Sequence, residues 1–103
     1  MVKARFFIGQ IIQHKLFDYR GVIYGVDPEF NSSDSWYENV ALSRPPKDKP
    51  WYQVLVDQSM LTTYVAERNL VETDNTLQIE HPMLGHFFHR YDAKRYFSKQ
   101  KVN

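Results

Sequence analysis

The chain of 103 residues contains no cysteine. That excludes a disulfide framework, a thiolate metal site and a cysteine nucleophile, and it fits a reducing compartment. Glycine is scarce too. The four glycines, at positions 9, 21, 25 and 85, form no phosphate-binding loop. No serine sits in a Gly-x-Ser-x-Gly elbow. No apolar run approaches the roughly 18 residues that suggest a membrane span, and the opening "MVKARFFIGQ" lacks the apolar segment of a signal peptide. These absences lead us to expect a soluble, cytoplasmic, non-enzymatic protein with no cofactor and no metal.

What is abundant is aromatic. Seven Tyr, seven Phe and two Trp in one small domain point to a β-rich core, because flat rings pack well on pleated surfaces. The formal net charge of +1 hides an asymmetry. Residues 86–103 carry Arg90, Lys94, Arg95, Lys99 and Lys101 against Asp92, a net of +4, while the other eight basic and eleven acidic residues leave −3 on the rest. The chain reads as a slightly acidic body with a basic, aromatic tail.

Periodicity organises the body. Residues 5–14 read as a first strand, with Gly9 as a bulge or point of close approach. Asp18–Gly21 reads as a turn, and "VIYGV" (22–26) as a second strand stopped by Asp27-Pro28. Residues 28–50 are polar and turn-rich, with Trp36-Tyr37 as an anchor or a short strand. In "WYQVLVD" (51–57), Tyr52, Val54 and Val56 make an apolar face of period two, and "LTTYVAE" (61–67) pairs back across "QSM". "RNLVE" closes the set. Short strands with turns between them suggest a small β-barrel or sandwich over residues 5–72. Residues 73–103 add a tail. Pro82, with Met83, Phe87 and Tyr91 at i, i+4 spacing, predicts a helix over about 82–92.

Few residues have the pattern that chemistry needs. His14 titrates near neutrality and could serve as a base, but it has no nucleophile beside it, so a bond from a strand-end ring to a turn carbonyl is the simpler expectation. His81, His86 and His89 could approach one metal if His86 and His89 lie at i, i+3 on the helix, yet no carboxylate completes a shell. The basic tail interleaves cations with rings, the residue types that neutralise phosphates and stack on bases. A nucleic-acid surface would therefore use Arg20, Arg90, Lys94, Arg95, Lys99 and Lys101. A protein partner would instead meet exposed aromatics at Trp36 and Tyr37, with Trp51 and the proline-rich stretch 44–50 beside them.

Two blocks, "FIGQIIQHKLFDYRGVIYGVD" and "PWYQVLVDQSMLTTYVAERNL", resemble the hemimethylated DNA-binding, YccV-like domain family. Gly9, Gln10, His14, Tyr19, Gly21, Val22, Asp27, Trp51, Tyr52, Tyr64, Val65, Glu67, Asn69 and Leu70 fill its pattern in order. "IEHPMLGHFF" is similar to the segment that follows this domain in some relatives, including domains at the ends of eukaryotic F-box proteins. The resemblance implies one SH3-like barrel without catalytic activity, here with a C-terminal helix. It also implies two partners. One is the Lon protease or its clients, in a heat-shock role that promotes degradation of denatured or specific proteins. The other is duplex DNA methylated on one strand. Association with a second copy of the chain is open at this point.

Overall fold

The structure is a computed structural model and describes residues 3–99. Seven strands form two antiparallel sheets. The larger contains β1 (Ile11–His14), β2 (Arg20–Asp27), β3 (Trp51–Val56), β4 (Thr62–Ala66) and β5 (Leu70–Glu72), in the order β4-β3-β2-β1-β5. The smaller pairs β6 (Phe88–Asp92) with β7 (Arg95–Ser98). A seven-residue helix, α1 (Asp34–Val40), interrupts the long connection from β2 to β3. A 3₁₀ turn, Glu67–Asn69, links β4 to β5, and one helical turn, α2 (Leu84–Phe87), precedes β6. Among the described residues no helix is long and apolar enough to cross a membrane.

The chain is mainly β, as the aromatic content suggests, but the expected closed barrel does not form. The edge strands β4 and β5 are not paired with each other, so the larger sheet stays open. The hairpin read from "WYQVLVD" and "LTTYVAE" is present, with Tyr52 opposite Val65 and Val54 opposite Thr63. The first hairpin is shifted. Its turn covers residues 15–19, with Asp18 at φ 57°, and Arg20 and Gly21 already belong to β2.

The inner face of the sheet is buried as the alternation requires. Ile12, Ile23, Tyr52, Val54, Val65 and Leu70 pack around Phe6. The other face is buried as well, which period-two reasoning does not anticipate, because two separate pieces cover it. At one end α1 lays Tyr37 and Ala41 over Trp51 and Ala66. At the other, the segment from Ile79 to Tyr96 covers Ile11, Val22 and Leu55. Trp51 and Leu55 are therefore interior.

The predicted helix over 82–92 reduces to the single turn of α2, followed by the β6–β7 hairpin. The turn at its tip has positive φ at Ala93 (51°) and Lys94 (68°), the mark of a two-residue primed turn. Cross-strand pairs fix its register. Tyr91 lies opposite Tyr96 and Arg90 opposite Phe97. Met83, Phe87 and Tyr91, which suggest one helical stripe, lie before α2, within α2 and in β6.

Gly9 anchors the hairpin to the sheet. Its N–H donates to the Ile23 carbonyl (2.8 Å) and its carbonyl accepts from the Tyr96 N–H (2.9 Å). With φ at +95°, and the Tyr96 carbonyl oxygen 2.0 Å from where a Cβ would stand, only glycine fits. Close approach at Gly9 is thus what the structure contains, just before β1 rather than inside a strand.

Candidate nucleic-acid interface

His14 shows how little chemistry the body holds. The ring is buried at the end of β1, and its Nδ1 accepts from the N–H groups of Leu16 (3.0 Å) and Phe17 (3.1 Å). The sequence suggests a bond to a turn carbonyl. The ring instead accepts from turn amides and fixes the start of the β1–β2 turn. Burial lowers its pKa from the ordinary 6.5, so it is a neutral ring that organises backbone. Tyr52 donates to Glu67 Oε2 (2.6 Å), and burial, helped by that carboxylate, raises its hydroxyl to about 12. Tyr64 is likewise raised by burial and by its bond to Asp27 (2.6 Å). These phenols stay protonated and join strands.

The histidines do not converge. His81 Nδ1 accepts from the Met83 N–H (3.0 Å), so Nε2 carries the proton toward the Leu61 carbonyl (2.9 Å). His86 lies in α2 and His89 in β6, so the i, i+3 helical spacing needed for a shared metal is absent. Among the described residues no three metal-ligating side chains cluster.

The cations expected on phosphates divide into two groups. Arg20 is half-buried, and its guanidinium donates to the Asn75 and Leu77 carbonyls (2.8 and 2.9 Å) and to Asp57 (3.0 Å). Asp57 also accepts from the Glu80 N–H (2.8 Å). Arg20 therefore fastens the strap over residues 75–80 to the sheet and is not free for a ligand. Arg90, Lys94, Arg95 and Lys99 do come together on or beside one hairpin. Lys101 lies outside the described residues.

Rings hold the hairpin's arginines in place. The Arg90 guanidinium lies 4.1 Å from the centre of Phe97, and Arg95 lies 4.7 Å from the same ring and 4.3 Å from Phe7. Arg90, Phe97, Arg95 and Phe7 form an alternating cation–ring ladder. The Arg95 Nε is buried without a hydrogen-bond partner among the described residues. Asp92 is the only acid on this hairpin and contacts Arg90 at 3.4 Å on the exposed surface, where a pair neutralises little. A recess of about 380 Å³ opens on the other face of the hairpin, lined by Ile8, Tyr24, Phe87, Phe88, Ser98 and Lys99 among others. Sequence reasoning found these cations and the rings interleaved with them, but missed Phe7, which the fold brings from the other end of the chain.

The residues expected to meet a protein partner are mostly interior. Trp51 is 1% exposed and Tyr37 is buried, with its hydroxyl donating to the Pro45 carbonyl (2.7 Å). Trp36 is half-buried against Phe30, Trp51 and Tyr64. These rings hold α1 to the sheet, the anchoring role the sequence suggests for the pair. Beside them lies a different surface, an apolar groove of about 450 Å³. The β1–β2 turn (Leu16, Phe17, Tyr19) forms one wall, α1 and its exit (Trp36, Val40, Leu42) the other, and β4 the floor. Leu16, Phe17, Val40 and Leu42 are all exposed.

The domain is an open β sheet that carries a basic, ring-braced hairpin. The family model described as "Hemimethylated DNA-binding protein YccV like" matches residues 4–95, and the chain belongs to this YccV-like family. The match runs through β6 to the first residue of β7, so the hairpin's Arg90, Lys94 and Arg95 fall within it.

Proposed function

We propose that this protein is a non-enzymatic module that binds duplex DNA methylated on one strand, with the β6–β7 hairpin on the phosphates. The observation that carries this reading is the alignment of Arg90, Phe97, Arg95 and Phe7, with Lys94 at the tip and Lys99 at the exit. Backbone contacts of this kind supply affinity and register but no sequence information. The family's description supports the same partner. The test measures binding to unmethylated, hemimethylated and fully methylated duplexes across a range of salt. Affinity should fall steeply with salt, and the triple change Arg90→Ala, Lys94→Ala, Lys99→Ala should reduce the log–log slope by about 2–3, roughly 0.9 per phosphate contact. Absent binding, or a slope unchanged in the triple variant, would reject the proposal.

The exposed apolar groove favours a second reading. In it the protein is a cytoplasmic heat-shock factor that promotes degradation of denatured or specific proteins by the Lon protease. Apolar surface that stays uncovered on a small soluble domain commonly marks a protein-binding site. Lon should then degrade a denatured client faster when the protein is added. An unchanged rate, with no association between the two proteins, would discard this reading.

A further inference from the structure

The groove lies where the sheet fails to close, and this sets what it can take. The larger sheet ends at β4, which among the described residues has β3 as its only strand partner. The bonds Val56 N–H to Leu61 and Glu67 N–H to Pro50 turn the odd-numbered residues of β4 toward β3. Thr62 and Tyr64 therefore direct their backbone N–H and C=O groups outward, and among the described residues neither meets another strand. One side-chain bond crosses the seam, Tyr19 to Thr63 (2.7 Å). An exposed edge of this kind is a template for one more strand.

Charge identifies the occupant further. Asn69 lines the groove, with Arg68 beside it in sequence and Lys15 joined to it by a backbone bond. Lys15 is exposed and its N–H donates to the Asn69 carbonyl (2.8 Å). Arg68 reaches the carbonyl of Ser43, a residue of the groove wall (2.6 Å). Arg44 stands nearby against Glu38 (3.2 Å), an exposed pair. Two of these three cations have no carboxylate contact among the described residues, while the groove's own lining contains no charged side chain.

The geometry points to a docking site for an extended segment of another protein. The segment adds to β4, places alternate apolar side chains between Phe17 and Leu42, and ends in a carboxylate beside Lys15 and Arg68. This site is distinct from the DNA-binding hairpin, and it gives the degradation reading a contact surface without depending on any particular protease.

Selection from a display library of short random peptides on the full chain tests this with no protease or DNA present. The enriched peptides should alternate apolar residues and end in Asp or Glu. A fluorescent copy of the most enriched peptide should bind about ten-fold more weakly when its acids are replaced by lysine. Methylating the backbone nitrogens that face β4 should abolish its binding. Leu42→Asp, 76% exposed as a residue, should also abolish it while duplex binding and thermal unfolding stay unchanged, and Phe17→Asp, whose ring meets His14 at 4.8 Å, should abolish it at some cost in stability. No enriched pattern, a basic pattern, or binding indifferent to both substitutions would overturn the inference. So would a self-association in sedimentation that Leu42→Asp dissolves, since a second copy would then be the occupant. Peptide binding without any effect on Lon would reject the protease reading alone and leave the docking site standing.

Discussion

Two pieces cover the same face of the sheet, and they do it by opposite means. The α1 cover is aromatic. Phe30, Trp36, Tyr37 and Tyr64 surround Trp51 with ring centres 5.0–6.4 Å away. Its polar bonds point inward, from Tyr37 to Pro45 and from the Trp51 indole to Pro46. The hairpin cover buries Phe88 and Tyr96 beneath and turns Arg90, Lys94 and Lys99 outward. Rings in the first piece complete the core. Phe97 on the second, with Phe7 from the N-terminal segment, holds charges in position. One cover completes the core, while the other carries the cations of the proposed interface.

Trp51→Ala should have the largest effect. It empties the centre of the α1 cover and should cost about 3–5 kcal/mol, with loss seen across the whole domain in chemical denaturation. A loss confined to residues 28–50 would show that α1 is an accessory rather than part of the core.

Gly9→Ala acts on the other cover. The new Cβ would meet the Tyr96 carbonyl, and alanine would carry a strained φ, at a combined cost of about 2–4 kcal/mol. The hairpin can avoid this cost by leaving the sheet. Hydrogen exchange should quicken at Tyr96 and Tyr91 while β3 and β4 remain protected, and duplex affinity should fall. Uniform loss of protection would show instead that the two covers and the sheet unfold as one unit.

The same contrast explains what was legible in the sequence. The β3–β4 hairpin could be read because Tyr52, Val54 and Val65 alternate cleanly. The burial of Trp51 and Leu55 could not, because it depends on covers brought from distant parts of the chain. Residues 83–91 misled because apolar residues at i, i+4 mimic a helix, and the turn at Ala93-Lys94 lacks the glycine that would reveal a hairpin. Arg20 looked like its basic neighbours until Asp57 and two carbonyls claimed its guanidinium. The cations of the candidate site were visible in composition, whereas the approach of Phe7 to them and the seam beside β4 are products of folding.

That turn provides a smaller test. Ala93→Asn with Lys94→Gly relieves two left-handed residues and should stabilise the hairpin by about 1 kcal/mol. Removing the Lys94 charge should at the same time lower the salt slope of duplex binding by about 1. More stability with weaker binding would show that the tip is shaped for its charge rather than its turn. Unaltered binding would move the interface down the hairpin to Arg90 and Arg95.

The smallest effect concerns His14, which shapes the turn walling the groove. Its folded pKa lies below the ordinary 6.5, so the folded state binds the fewer protons. The stability it contributes is complete above the unfolded pKa and is lost as pH falls below 6.5 toward the folded value. His14→Asn keeps an acceptor for the Leu16 and Phe17 amides but has nothing to titrate. Urea midpoints of the wild type should decline across this acidic window, and those of His14→Asn should decline less. Parallel declines would show that His14 is not the source of the acid sensitivity.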